Sequence, residues 1–175
     1  MIFIYVKEIL KTMRIILKRY YGDRTITKSE LEVWMDGETE PRMVCDAREP
    51  KFFNYALSFP GASSYCLPAG TFKLKAGNTP YSPMGLRIPR CPGHRCVFIG
   101  HKWSRQYFEG EILIGQRENI TFGNEEQNRD HSFIHNEEET FKQLDKLVYE
   151  AYAKGEDFIL EIDNSQVNDC TINRN

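Results

Sequence analysis

Apolar and polar side chains alternate along much of this chain with a period of two. Residues 13–21 read Met-Arg-Ile-Ile-Leu-Lys-Arg-Tyr-Tyr and residues 30–35 read Glu-Leu-Glu-Val-Trp-Met, the pattern of half-buried strands. Gly22-Asp23 marks a turn after the first, and Asp36-Gly37 after the second is the best hairpin signal, with residues 42–47 as the return strand. Residues 50–65 mix Phe52, Phe53, Tyr55 and Phe59 with Pro60 and Gly61, which predicts a loop packed by its aromatics. Pro68-Ala-Gly70 turns the chain into residues 71–75, with Phe72 and Leu74 on one face and Lys73 and Lys75 on the other. Gly77, Pro80 and Pro83 break the pattern before a short strand at residues 86–88. Residues 96–100 and 111–115 are continuous apolar runs, consistent with buried strands.

The period changes once. Phe141, Leu144, Leu147, Val148, Ala151 and Tyr152 fall at helical spacing within residues 137–154. Asn136 is the expected N-cap, Glu137 to Glu139 suit the positive end of the dipole, and Gly155 follows the last turn. Residues 158–162 form a final strand. The fold expected is mainly β, about seven to nine short strands with one C-terminal α-helix, as a small single-domain barrel or sandwich. Residues 13–163 make that domain, residues 1–12 are an extension that is not part of the fold if Met13 is the start, and residues 164–175 are a polar, frayed tail.

The chain of 175 residues carries a net charge of only −2, which hides a strong segregation. Between Pro50 and Phe108 there is no acidic residue, while Lys51, Lys73, Lys75, Arg87, Arg90, Arg95, Lys102 and Arg105 lie there. From Glu109 to Asp163 fifteen acids face five basic residues. Such a chain presents two electrostatic faces, the positive one drawing anions. No segment reaches the ~20 apolar residues that span a bilayer, so no membrane partner is expected. Five cysteines without a secretion signal read as reduced thiols, and the expected location is cytoplasmic.

Three constellations could carry chemistry. Cys91-Pro-Gly-His94-Arg-Cys96 holds three ligand types of a zinc knuckle, with Cys45, Cys66 or His101 as a distant fourth, or is a Pro-Gly turn between buried thiols. The spacing fits no standard zinc pattern, and no cofactor is expected. Cys91 or Cys96 near His94 or His101 could be a thiolate nucleophile, or an inert buried thiol. Arg87, Arg90, Arg95, Lys102 and Arg105 interleave with Phe98, Trp103, Tyr107 and Phe108, a mixture suited to phosphates and stacking. The alternative is a solvated basic face balanced by the acidic half. A pI near 6.1 speaks against a dedicated nucleic-acid binder. His131 and His135 lie in a polar loop and carry little signal.

Leu31-Glu-Val-Trp-Met-Asp-Gly-Glu, Cys45-Asp-Ala-Arg-Glu, Leu67-Pro-Ala-Gly-Thr-Phe, Cys96-Val-Phe-Ile-Gly-His and Glu109-Gly-Glu-Ile-Leu-Ile-Gly, in this order over residues 13–163, resemble domain of unknown function 5675. That family of small bacterial and phage proteins is in turn similar to L,D-transpeptidase catalytic domains. There a cysteine thiolate attacks a peptidoglycan stem-peptide carbonyl, a histidine serves as base and backbone amides hold the oxyanion. Carried onto this chain, the cysteine falls on Glu111 and the histidine on Gly100, with His101 one residue later. A carboxylate in place of the thiolate would give a labile anhydride, so the resemblance implies a catalytically degenerate homologue.

The expected function is a binding module for an anionic or cell-wall-derived ligand, with Arg87, Arg95, Lys102, Trp103 and Arg105 lining the site. One alternative is a cell-wall peptide hydrolase using His101 and Glu111 as an acid/base pair. Glu109 and Glu111, two apart on a strand, would then raise one another's pKa; otherwise both are exposed carboxylates paired with Arg105 or Lys102. Another is a phage or mobile-element accessory protein, virion- or lysis-associated, that binds a host protein or nucleotide through its basic face.

Overall fold

The computed structural model describes residues 11–24, 26–53, 65–91, 93–94, 97–101, 111–117 and 134–169. These form ten strands: β1 (Thr12–Gly22), β2 (Ile26–Trp34), β3 (Met43–Pro50), β4 (Gly70–Ala76), β5 (Leu86–Ile88), β6 (Val97–Gly100), β7 (Ile112–Arg117), β8 (Ile134–His135), β9 (Asp157–Asp163) and β10 (Asn168–Asp169). One helix, α1 (Glu137–Ala153), lies among the described residues. Eight strands close into a barrel in the order β1-β2-β3-β7-β6-β5-β4-β9, with β9 returning to β1. Of barrel and sandwich, the chain forms the barrel. Strands β1 and β9 run parallel, as do β6 and β7, and the remaining barrel pairs are antiparallel. No helix among the described residues is long and apolar enough to cross a membrane.

Alternation decides which side chains enter the core. Met13, Ile15 and Leu17 of β1, Leu31 and Val33 of β2, and Met43, Cys45 and Ala47 of β3 are buried at every second position. The same alternation carries two charged residues inward. Arg19 takes the next buried position after Leu17, and Glu49 the next after Ala47. Arg19 Nε donates to Glu49 Oε2 at 2.7 Å, and both side chains are 0 % exposed. Arg19 Nη1 also donates to Asn164 Oδ1 at 3.1 Å. Ser29 of β2, the register partner of both Arg19 and Ala47, is too small to separate the two charges.

Several local expectations need correction. The tail does not fray at residue 164, since Asn164 bonds Arg19 and β10 pairs with Tyr21 and Gly22 of β1. At the other end β1 begins at Thr12, and the Lys11 carbonyl accepts from Asp157 N at 2.8 Å. The Asp36-Gly37 turn and its return strand form as expected, with Gly37 at φ 74°, β3 starting at Met43, and the connection tied by an Arg42–Glu38 ion pair. Asn136 does precede α1 but adopts a left-handed conformation (φ 51°), which turns its amide away from the first turn so that Nδ2 donates to Gln116 Oε1. Tyr152 is 57 % exposed and outside the apolar stripe of α1. The helix ends as expected: Gly155 at φ 70° lets Gly155 N and Glu156 N reach the carbonyls of Tyr152 and Ala151. Of the aromatic loop, residues 54–64 lie outside the described residues, while Phe53 meets Tyr65 edge-on at 4.9 Å across its base.

Candidate functional site

Strands β6 and β7 run side by side with Ile99 opposite Ile112 and Gly100 opposite Leu113. Ile99 and Ile112 face the core, so the flanking residues, Gly100 on β6 and Glu111 just before β7, turn to the other face. Glu111 is not a solvated strand carboxylate. It is 1 % exposed, accepts a hydrogen bond at Oε1 from the Tyr81 hydroxyl at 2.9 Å, and leaves Oε2 buried with no partner among the described residues. Burial pushes its pKa up to about 7, and the Tyr81 bond pulls it only part of the way back. At neutral pH this carboxyl is therefore divided between acid and anion.

Tyr81 reaches Glu111 from the connection between β4 and β5. Thr79 Oγ1 accepts from Ser82 N at 3.2 Å and Thr79 N donates to Ser82 O at 2.9 Å, which closes a tight turn with Tyr81 inside it. Ser82 Oγ donates to Asp145 Oδ1 of α1 at 2.6 Å. The ring then lies over Gly100, where an added Cβ would stand 2.4 Å from it. Gly100→Ala is expected to displace Tyr81 and cost about 1–3 kcal/mol in urea unfolding, the usual penalty of overpacking. An unchanged midpoint would mean that the ring gives way freely.

His101 follows the last residue of β6, and continued alternation would send it to the opposite face from Glu111. The strand ends at Gly100 and the chain bends at His101 instead. Its ring packs against Tyr81 with centroids 5.5 Å apart and against Phe141 of α1 at 5.0 Å. Both sequence-predicted residues thus converge, but on Tyr81 rather than on each other. Glu111 takes its hydrogen bond from Tyr81, and its second oxygen receives none from the described residues. Tyr81, Ser82 and Asp145 gave no signal of their own in the sequence and Phe141 read only as part of the helical stripe, because loop and helix side chains acquire this meaning only from tertiary placement.

The basic residues divide. Arg87 is exposed on β5, while Arg95, Lys102, Trp103, Arg105 and Glu109 lie outside the described residues. Lys73, Lys75 and Arg90 are exposed as well. Lys75 is the register partner of Arg87, so two cations face one another across neighbouring strands. No carboxylate among the described residues pairs with these four. Glu161, on the next strand, is held by Arg14 at 2.9 Å, and the helix acids Glu138 and Glu150 are met by Lys142 and Lys154.

Cys91 and His94 form an isolated bridge, with His94 N donating to Cys91 O at 3.1 Å. Burial raises the Cys91 thiol to about 11 and the Cys45 thiol to about 12, so neither is a thiolate nucleophile at neutral pH. Cys96 lies outside the described residues, and no group of three metal-ligating side chains occurs among the described ones. No family model, curated protein or solved structure matches this chain, and the chemistry of the site rests on its own geometry.

Proposed function

We propose that this protein is a binding module for an anionic ligand, held at the strip formed by Lys73, Lys75, Arg87 and Arg90. The observation that carries the reading is the Lys75–Arg87 register pair, exposed and without a carboxylate partner among the described residues. Like charges directly opposite one another destabilise a sheet, and an anion seated between them removes that cost. The resemblance to domain of unknown function 5675 and L,D-transpeptidase domains favours a cell-wall-derived fragment as the ligand. Glu111 in place of the nucleophilic cysteine favours binding without transpeptidation. Two probes test this: soluble muropeptides and a short dextran sulfate. Both should bind with an affinity that falls as salt rises. Replacing Lys75 and Arg87 together by Ala should weaken binding at least about tenfold, while Lys142→Ala on the helix leaves it unchanged. Equal affinity in the double variant and the parent protein would refute the assignment.

A second reading has one observation in its favour. Glu111 holds its proton near neutrality beside Tyr81, whose ring packs on His101, and that is the property required of a general acid. A hydrolase built on these residues would lose turnover of a cell-wall peptide in Glu111→Gln while keeping its fold.

A further inference from the structure

We infer that β4 carries an open strand edge beside the basic strip, and that the ligand it fits is an extended acidic peptide added to the sheet as a further strand. The inference deepens the anion-binding reading and rests on it for the cationic side chains. Strand β4 is paired with β9 along Gly70 to Leu74, but with β5 only at Lys75 and Ala76. The register explains why. Lys75 pairs with Arg87 and Ala76 with Leu86, and Gly77 N donates to Gly85 O at 3.0 Å. Hydrogen-bonded positions therefore fall at Gly77 with Gly85 and at Lys75 with Arg87. The next such position sets Lys73 against Pro89, which has no N–H to give. Pairing with β5 stops there.

Alternation then fixes what the remaining edge offers. The N–H and C=O of Lys73 and Thr71 point to the side that β5 has left, while those of Phe72 and Leu74 point to β9. On that side neither residue has a backbone partner among the described residues. An edge with unpaired donors and acceptors is a template for another strand. Charge selects which one. In an added strand, the residues hydrogen-bonded to Lys73 and Thr71 point outward, on the face of Lys73, Lys75 and Arg87. A carboxylate opposite Lys73 stands diagonal to Lys75, within reach of both ammonium groups. Glu161, the register partner of Thr71, is already tied to Arg14. The residue between the two outward ones points inward beside Phe72, which packs against the core yet is only half-buried. The fitting segment thus alternates acidic and apolar residues. A second copy of this chain does not fit, since pairing β4 with β4 sets lysine beside lysine.

The test uses the full chain, a capped pentapeptide of alternating Glu and Val, its Gln–Val counterpart and a short dextran sulfate. Affinity is read by calorimetry, and the edge by amide exchange at Thr71 and Lys73. In the free protein these two amides should exchange rapidly, unlike that of Leu74, which β9 protects. Saturating Glu–Val peptide should slow both at least about tenfold, while dextran sulfate, which has no peptide backbone, leaves them unchanged. The Gln–Val peptide should bind at least about fivefold more weakly. Thr71→Pro removes one edge N–H and keeps all four cations. It should weaken the peptide at least about tenfold and leave dextran sulfate binding as it was. Slow exchange at Thr71 and Lys73 in the free protein would mean that the edge is already covered, and would overturn the inference. So would peptide binding without protection of these amides, or equal affinity for the Gln–Val peptide. Dextran sulfate binding without peptide binding would overturn strand addition and leave the anion site standing, whereas absence of binding by either would remove both. If Thr71→Pro does not fold, exchange in the parent protein decides alone.

Discussion

Glu49→Gln is expected to lower the stability of the barrel by about 3–5 kcal/mol, the loss that follows when one partner of a buried ion pair is removed. The amide is close to the carboxylate in shape, so little packing changes. What remains is the Arg19 guanidinium, 0 % exposed, facing a neutral group where it had a two-pronged anion. The pair itself is a different matter, since two charges brought out of water gain back little more than they lose. Arg19→Met combined with Glu49→Leu should accordingly fall within about 1 kcal/mol of the parent protein or exceed it. Urea midpoints of the two single variants and the double variant form a mutant cycle that separates these terms. A double variant as unstable as Glu49→Gln would show that the pair contributes net stability.

The second large effect is in pH. Glu111 has an ordinary glutamate pKa near 4.5 when unfolded and about 7 when folded. Between those values the folded protein holds a proton that the unfolded chain has released. Stability therefore declines as pH rises through that window, and the contribution present below the lower value is gone above the upper one. The decline should amount to about 2–3 kcal/mol. Glu111→Gln cannot ionise, so its stability relative to the parent should improve by that amount between pH 4.5 and pH 8. A constant difference between the two proteins across that range would mean that Glu111 titrates alike in both states.

Much of the barrel was legible in the chain because alternation reports a face directly. In β4, Leu74 is buried and Lys73 and Lys75 are exposed, as the pattern requires. Barrel closure was not legible, because the β1–β9 pairing joins Thr12 to Asp157 and no local pattern reports a partner so remote. The lack of a local pattern likewise hid Glu49 and Asn164 from Arg19. At the site, Glu111 and His101 were singled out through the resemblance, and the expectation corrected is that of an exposed Glu111 carboxylate. Glu111 reads as a solvated strand start, yet it is buried and bonded by Tyr81, whose ring packs on Phe141 of α1. Periodicity cannot anticipate cover supplied by a turn thirty residues earlier.

The place of β9 in the barrel bears on how the protein is made. Strand β9 lies between β1 and β4 and is the last of the eight to leave the ribosome. Until Asp163 has cleared the exit tunnel, the nascent sheet has two bare edges, one on its first strand and one on β4. Unpaired edges of this kind recruit strands from neighbouring chains. Synthesis paused or truncated before residue 157 would therefore release a sheet that cannot close, and cells making it would depend on chaperones that hold such edges apart.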